Sequence, residues 1–197
     1  MTAEKSSGLR YAVIGAGMAG ILAGIKLKQS GEDFTIFEKA ATLGGTWREN
    51  RYPGLTCDVP AHAYTYSFEP YAEWQAYYAK GGEIQNYFLH TADKYGVSPH
   101  IRYNSEVVSC VWDGESAQWT LRLVNGDTYI ADVVIAASGV LHHPNTPDIP
   151  GLSSFEGKAF HSARWDDSAK IDDARVGIIG NGSTGVQIVT ALAERSA

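Results

Sequence analysis

Tyr11-Ala12-Val13-Ile14-Gly15-Ala16-Gly17-Met18-Ala19-Gly20 decides the fold. Four apolar residues suit a strand buried on both faces, and they enter a GxGxxG turn with no linker between. A helix is expected over Met18–Gln29, with apolar residues at Ile21, Leu22, Ile25 and Leu27 and with Lys26 and Lys28 at the carboxyl end, where the helix dipole favours cations. Gly31 stops it, and Asp33-Phe34-Thr35-Ile36-Phe37 is β-branched and aromatic enough to be a second strand ending at Glu38. This is a βαβ unit. In it Gly15 permits the tight turn, Gly17 lets a pyrophosphate approach the backbone, and Gly20 lets helix pack on strand. Glu38 stands where a carboxylate accepts hydrogen bonds from both ribose hydroxyls and repels a 2′-phosphate, so an unphosphorylated adenosine is expected. The alternative reading of Glu38 is a solvated acid at a strand end.

Beyond that unit, periodicity disappears from Ala41 to about Ala79, and a long irregular segment inside a compact domain is usually functional. The stripe Ile84, Tyr87, Phe88, Ala92, Tyr95 predicts a helix over Glu83–Tyr95. Val107–Trp112, Trp119–Val124 and Tyr129–Ala131, with a tight turn at Asn125-Gly126, predict an antiparallel meander. Asp132–Ala137 follows as a strand expected to be fully buried. Pro144, Pro147 and Pro150 then mark a semi-rigid connection. After it, Arg175-Val176-Gly177-Ile178-Ile179 is expected to be a buried strand, meeting Gly180-Asn181-Gly182-Ser183-Thr184-Gly185 and a helix over Val186–Leu192. The strand, turn and helix pattern is repeated, and two dinucleotides are implied. The expected fold class is α/β: a Rossmann-like first domain, with a parallel sheet and a β-meander, over residues 1–140; a linker over 141–174; and the start of a second Rossmann-like domain over 175–197.

Composition narrows the function. The chain has 197 residues, 16 Lys+Arg against 22 Asp+Glu, a formal net charge of −6 and 44% hydrophobic residues, which excludes disordered, collagenous and coiled-coil classes. That charge would repel a phosphate backbone, so no nucleic-acid partner is expected. Cys57 and Cys110 form no CxxC pair and no metal-ligand set, which disfavours a flavin disulfide reductase and predicts no metal site. The uncharged Tyr11–Ile25 stretch is too short to span a membrane and is interrupted by Gly15, Gly17, Gly20 and Gly24, so a cytoplasmic protein without a membrane partner is expected.

Phe155-Glu156-Gly157-Lys158-Ala159-Phe160-His161-Ser162-Ala163-Arg164-Trp165-Asp166, just before the second glycine motif, resembles the FxGxxxHxxxW(P/D) fingerprint of type I Baeyer–Villiger monooxygenases. Gly44-Gly45-Thr46-Trp47, Arg51-Tyr52-Pro53-Gly54, Cys57-Asp58 and Ala137-Ser138-Gly139 are also similar to that family's segments. Related N- and S-oxygenating flavin monooxygenases typically carry Tyr or Phe at the position of Trp165. The resemblance implies FAD and NADPH as cofactors, O2 and a small-molecule ketone as substrates, and an ester or lactone as product. It implies that Gly15, Gly17, Gly20 and Glu38 bind FAD; that Gly45, Thr46 and Trp47 run beside the flavin; and that Val107 offers backbone contacts near adenine. Gly180, Gly182, Ser183, Thr184 and Gly185 would form the NADPH turn. Asp58 matches a catalytic-site aspartate near the flavin, and Tyr64 a flavin-side tyrosine; the bland readings are a turn acid before Pro60 and a core tyrosine. Phe155, Gly157, His161, Trp165 and Asp166 would couple the nucleotide domains, with His161 not the general base. Family members are longer, so the chain is expected to be an amino-terminal portion, inactive by itself; the alternative is a noncatalytic FAD-binding fragment or partner subunit completed by a second chain.

Overall fold

A computed structural model describes residues 7–193 and 195–196. The chain forms two compact units, one made of residues up to Thr46 together with Gln85–Val140, the other of Trp47–Ile84 together with the residues from Leu141 onward.

In the first unit, β1 (Arg10–Ile14), β2 (Asp33–Phe37), β3 (Ile101–Arg102) and β7 (Val133–Ala136) make a parallel sheet in the order β3-β2-β1-β7. β4 (Val107–Asp113), β5 (Gln118–Leu123) and β6 (Thr128–Ala131) make the expected antiparallel meander. Ala12 and Val13 are both 0% exposed, and because neighbouring strand residues point to opposite faces, both faces of β1 are covered. On one face Ala12 and Phe37 cluster with Leu121, Leu123 and Ala131 of the meander, and the Phe37 and Tyr129 rings meet edge to face at 5.0 Å. On the other, Val13 pairs with Ile36, and Ile36, Phe34 and Val97 close on Gly24 of α1 (Met18–Gln29). Any Cβ at Gly24 would lie 2.8 Å from two of those side chains, so helix and sheet approach more closely there than an alanine permits. The buried face of α3 (Gly81–Lys94) carries Tyr87, Phe88 and Ala92, as the stripe predicts, while Tyr95 is half-buried beyond its end.

Two expectations need correction, and one strand is additional. β7 is half-buried, since it forms an edge of the parallel sheet. β3 was not foreseen; its two residues, Ile101 and Arg102, are too few to carry a periodicity. Arg175–Ile179 is extended but not a strand, and Val176 and Ile179 are 42% and 67% exposed. A strand exists by its ladder, and no described residue pairs with this segment.

In the second unit the segment expected to be irregular holds only a short α2 (Thr46–Glu49, its first residue in the first unit) and a 3-10 turn at Ala61–Ala63. The second glycine motif leads into α4 (Ser183–Leu192), which starts three residues before the apolar run suggested. Tyr52, Ile188 and Leu192 form its small core, with Leu55, Trp165, Ile171 and Ile178 around it. Among the described residues no helix is long and apolar enough to cross a membrane, and no group of His, Cys, Asp and Glu could hold a metal ion.

Candidate functional site

The first glycine turn is built by three glycines with three different reasons. Gly15 has φ +100°, a region disfavoured for side chains, and a Cβ there would lie 2.6 Å from the Ala137 carbonyl oxygen. A Cβ on Gly20 would fall on the Gly15 carbonyl, 2.9 Å from its carbon, so helix and strand touch there backbone to backbone. Gly17 is unlike both. Its φ is −81°, and a Cβ would meet nothing closer than Gly45 Cα at 3.5 Å. The fold itself leaves room for a Cβ at Gly17. Gly45 faces it with φ +53°, and the Gly44 amide donates to the Ala16 carbonyl at 3.0 Å. Gly17 makes no side-chain cap bond and no acid stands in the first turn of α1.

Glu38 is 6% exposed, which overturns the solvated-acid reading. Oε2 accepts from the Ala16 amide at 2.7 Å and Oε1 from the Ala40 amide at 2.8 Å, so the carboxylate ties the glycine turn to the chain leaving β2. Each oxygen keeps a second lone pair. Tyr103 stands near Glu38; burial, then the Glu38 charge, pushes its phenol above the usual range. Val107 opens β4, opposite Leu123.

The second turn repeats the first. Gly180 has φ +123°, and a Cβ on Gly185 would lie 2.5 Å from the Gly180 carbonyl oxygen. Gly182 caps α4 with φ −75° and ψ −179°, against −81° and −169° at Gly17, and a Cβ on it would meet nothing within 4 Å. Val186 N donates to Gly182 O at 3.1 Å as Ile21 N does to Gly17 O at 3.0 Å. Around this turn the second unit gathers several of the residues singled out from sequence. Ser183 Oγ donates to Asp58 Oδ2 at 2.9 Å, and Thr184 Oγ1 donates to Tyr52 Oη at 3.4 Å. Trp47 Nε1 donates to Tyr64 Oη at 3.2 Å with the rings edge to face at 5.5 Å. Burial pushes the Tyr64 phenol up against the lowering effect of the Trp47 bond, and the Cys57 and Asp58 charges add to the rise. Tyr64 is a neutral group at neutral pH.

The sequence reading missed what docks α4. Tyr52 Oη donates to Gln187 Oε1 at 2.9 Å, and Gln187 Nε2 reaches the carbonyl and hydroxyl of Thr56 at 3.0 and 3.2 Å. Gly54, φ +81°, lies so close under α4 that a Cβ would come within 2.5 Å of the Gln187 carbonyl. The legible signal was Ser183, Thr184 and Gln187 as the polar group of an apolar helix beginning STGVQIV.

Each described fingerprint residue has a local task. His161 Nδ1 accepts from the Ala163 amide at 3.1 Å, capping a 3-10 turn at Ser162–Arg164. Trp165 packs into the α4 core and meets Phe160 edge to face at 5.2 Å. Asp166 bonds Lys158 and takes the Ser168 amide and hydroxyl at 2.9 and 2.6 Å, which holds its carboxyl down to about 2. Phe155 is exposed and lies over Gly157, where a Cβ would be 2.6 Å from the ring.

A parallel sheet with a glycine turn, an interposed meander and a second glycine turn of the same geometry define a class: α/β proteins with paired dinucleotide-type turns. Within that class the chain belongs to the flavin-binding monooxygenase-like family, whose model matches residues 8–197. It is 46% identical over 185 residues to a Baeyer–Villiger monooxygenase of Streptomyces coelicolor, covering 93% of this chain and 36% of that protein. Its fold is similar to that of cyclohexanone monooxygenase bound to ε-caprolactone, with a TM-score of 0.88 and 36% identity over 98% of this chain and 38% of that one. It is also similar to OTEMO in complex with FAD and NADP, with a TM-score of 0.86 and 36% identity over 98% and 38% of the two chains. The chain thus spans little more than a third of the length of these relatives.

Proposed function

We propose that the chain holds FAD on the Gly15–Gly20 turn and NADPH on the Gly180–Gly185 turn, in a monooxygenase that inserts one oxygen atom of O2 beside a ketone carbonyl to give an ester or lactone. The observation that carries this reading is the middle glycine of each turn. Gly17 and Gly182 have ordinary φ and open space where a Cβ would be, so neither the backbone nor packing requires glycine there. A ligand pressed against the backbone does require it. Bound FAD supplies the electron-transfer and oxygen-activating chemistry, with NADPH as hydride donor.

The chain's own residues bind and orient. Uncapped first-turn amides of α1 and α4 face the two pyrophosphates, and the free lone pairs of Glu38 accept from the adenosine ribose of FAD. Gly45, beside Gly17, is assigned to the flavin together with Thr46, Trp47, Asp58 and Tyr64, of which Trp47 and Tyr64 are hydrogen-bonded to each other; Val107 offers backbone polar groups toward adenine. Residues 1–140 serve FAD, 141–174 carry the coupling fingerprint and 175–197 begin the NADPH portion. Names and bound ligands of similar proteins support this assignment. The test is to release the cofactor by denaturation and identify it by mass, then supply the FAD-loaded monooxygenase that contains this chain, rather than the chain alone, with NADPH, O2 and a panel of cyclic and linear ketones. FAD and an ester or lactone formed in step with NADPH consumed are expected. FMN, or NADPH consumed without oxygenated product from any ketone, overturns the reading.

A further inference from the structure

Asp58 reaches the first residue of α4 by a hydrogen bond to Ser183, and the surrounding contacts show how it is held there. The chain before it is pinned to α4 at three points: Tyr52 and Thr56 through Gln187, and Gly54 against the Gln187 carbonyl and Ala191. Past the last of these anchors, Asp58 itself is exposed. Tyr64, bonded to Trp47, and Cys57, buried next to Asp58, both have their ionisation raised in part by the Asp58 charge.

Ser183 has one hydroxyl proton. It can donate to Asp58 or to a phosphate oxygen on the turn, but not to both. The α4 first turn contains no acid, and its cap residue Gly182 makes no side-chain bond, so Asp58 brings negative charge to a helix end otherwise open to an anion. Carboxylate and phosphate therefore compete for the same donor and repel each other. We propose that Ser183 is a positioning residue that exchanges partners: the phosphates of the second dinucleotide take its hydroxyl from Asp58, and the released carboxylate turns toward the Trp47–Tyr64 side. The proposal rests on the assignment of NADPH to the second turn. Linkage makes the exchange reciprocal, so an Asp58 retained by Ser183 weakens the nucleotide by the same factor that the nucleotide weakens the Asp58–Ser183 bond.

The experiment titrates NADP+ into the FAD-loaded protein by calorimetry for the wild type, Asp58→Asn, Ser183→Ala, their double variant and Ser183→Thr. Asp58→Asn is expected to tighten NADP+ by roughly 5- to 150-fold, the usual range of coupling between linked sites. In the Ser183→Ala background the same change should give a clearly smaller gain, because only charge repulsion is then relieved; Ser183→Thr, which keeps the hydroxyl, should restore the full gain. Damage to the fold weakens binding and cannot produce tightening, so the sign separates the exchange from a structural role. Wild-type binding with Asp58→Asn unchanged or weaker overturns the exchange and leaves the NADPH assignment standing, as does an equal gain with and without the hydroxyl. No binding of NADP+ to the FAD-loaded wild type overturns both.

Discussion

Gly17 and Gly20 share one turn, yet an added methyl group tests different things at the two positions. At Gly20 it would strike the Gly15 carbonyl, and overpacking of this kind costs about 1–3 kcal/mol or more. At Gly17 it meets only Gly45 Cα at an ordinary contact distance, and φ is −81°. Gly17→Ala should therefore stay within about 1 kcal/mol of wild-type stability. It should nevertheless lose most of its FAD, since the methyl occupies the space left for the pyrophosphate. Thermal melts and flavin absorbance of the purified variants check both halves, and a Gly17→Ala protein that keeps full flavin occupancy refutes the cofactor role given to that residue. Glu38 holds two backbone amides in addition to the ribose role proposed for it. Glu38→Ala strands the Ala16 and Ala40 amides as well as removing the ribose acceptor, so it should cost about 1–3 kcal/mol in the apoprotein before any cofactor is added. Denaturation of the flavin-free variant measures that cost directly. A loss seen only in the presence of FAD would mean that the two backbone bonds contribute little.

The fingerprint turn is an element whose pH response can be stated with its sign. Asp166 titrates at about 2 in the folded protein against an ordinary value of 3.8, held down first by Lys158 and then by Ser168. A depressed folded value means that its bonds are fully present above about pH 4 and are lost as pH falls through about 2. Carboxyl chemical shifts of Asp166, followed with the Trp165 fluorescence, should show a transition in that window, and Asp166→Asn should abolish it. A midpoint near 3.8 would show that the Lys158 and Ser168 bonds do not persist in solution. α1 and the two glycine turns were legible in sequence because each is a local pattern: Gly15, Gly17 and Gly20 are neighbours, and Ile21 and Ile25 repeat along one face. What escaped depends on distant residues. Arg175–Ile179 has the residues of a strand but no pairing partner among the described residues, and the Tyr52–Gln187 bond joins positions 135 apart in sequence. Glu38 was placed correctly at the end of β2, but its burial needed the Ala16 and Ala40 amides to be seen closing over it.

The protein as a whole is unevenly consolidated. The first unit holds both layers around β1, with Ala12, Val13, Ile21, Ile25, Ile36 and Phe37 essentially inaccessible and Leu121 and Leu123 sealing the other face. The core around α4 in the second has Tyr52, Ile188 and Leu192 as its buried members, and the extended Val176–Ile179 segment makes no ladder with any described residue. Local opening follows the apolar area that must be exposed, so amides in the less consolidated unit should exchange by smaller fluctuations. Hydrogen exchange read by mass spectrometry should therefore show β1, β2 and α1 as the slowest elements and α4 with residues 47–80 as faster, by at least tenfold in rate. The chain passes between the units after Thr46, Ile84 and Val140, so this pattern should appear as alternating slow and fast stretches rather than a slow half and a fast half. Ligands sharpen the test, because a ligand bound only to the closed state slows exchange by the factor 1 + [L]/Kd where it binds. FAD should protect residues 14–20 and 37–40, whereas NADP+ should protect residues 180–187 and the tied chain at 52–58. Equal exchange in the two units without ligand, or protection of the same peptides by both nucleotides, would show that burial in these cores does not set the order of opening or that the two turns do not each hold their own cofactor.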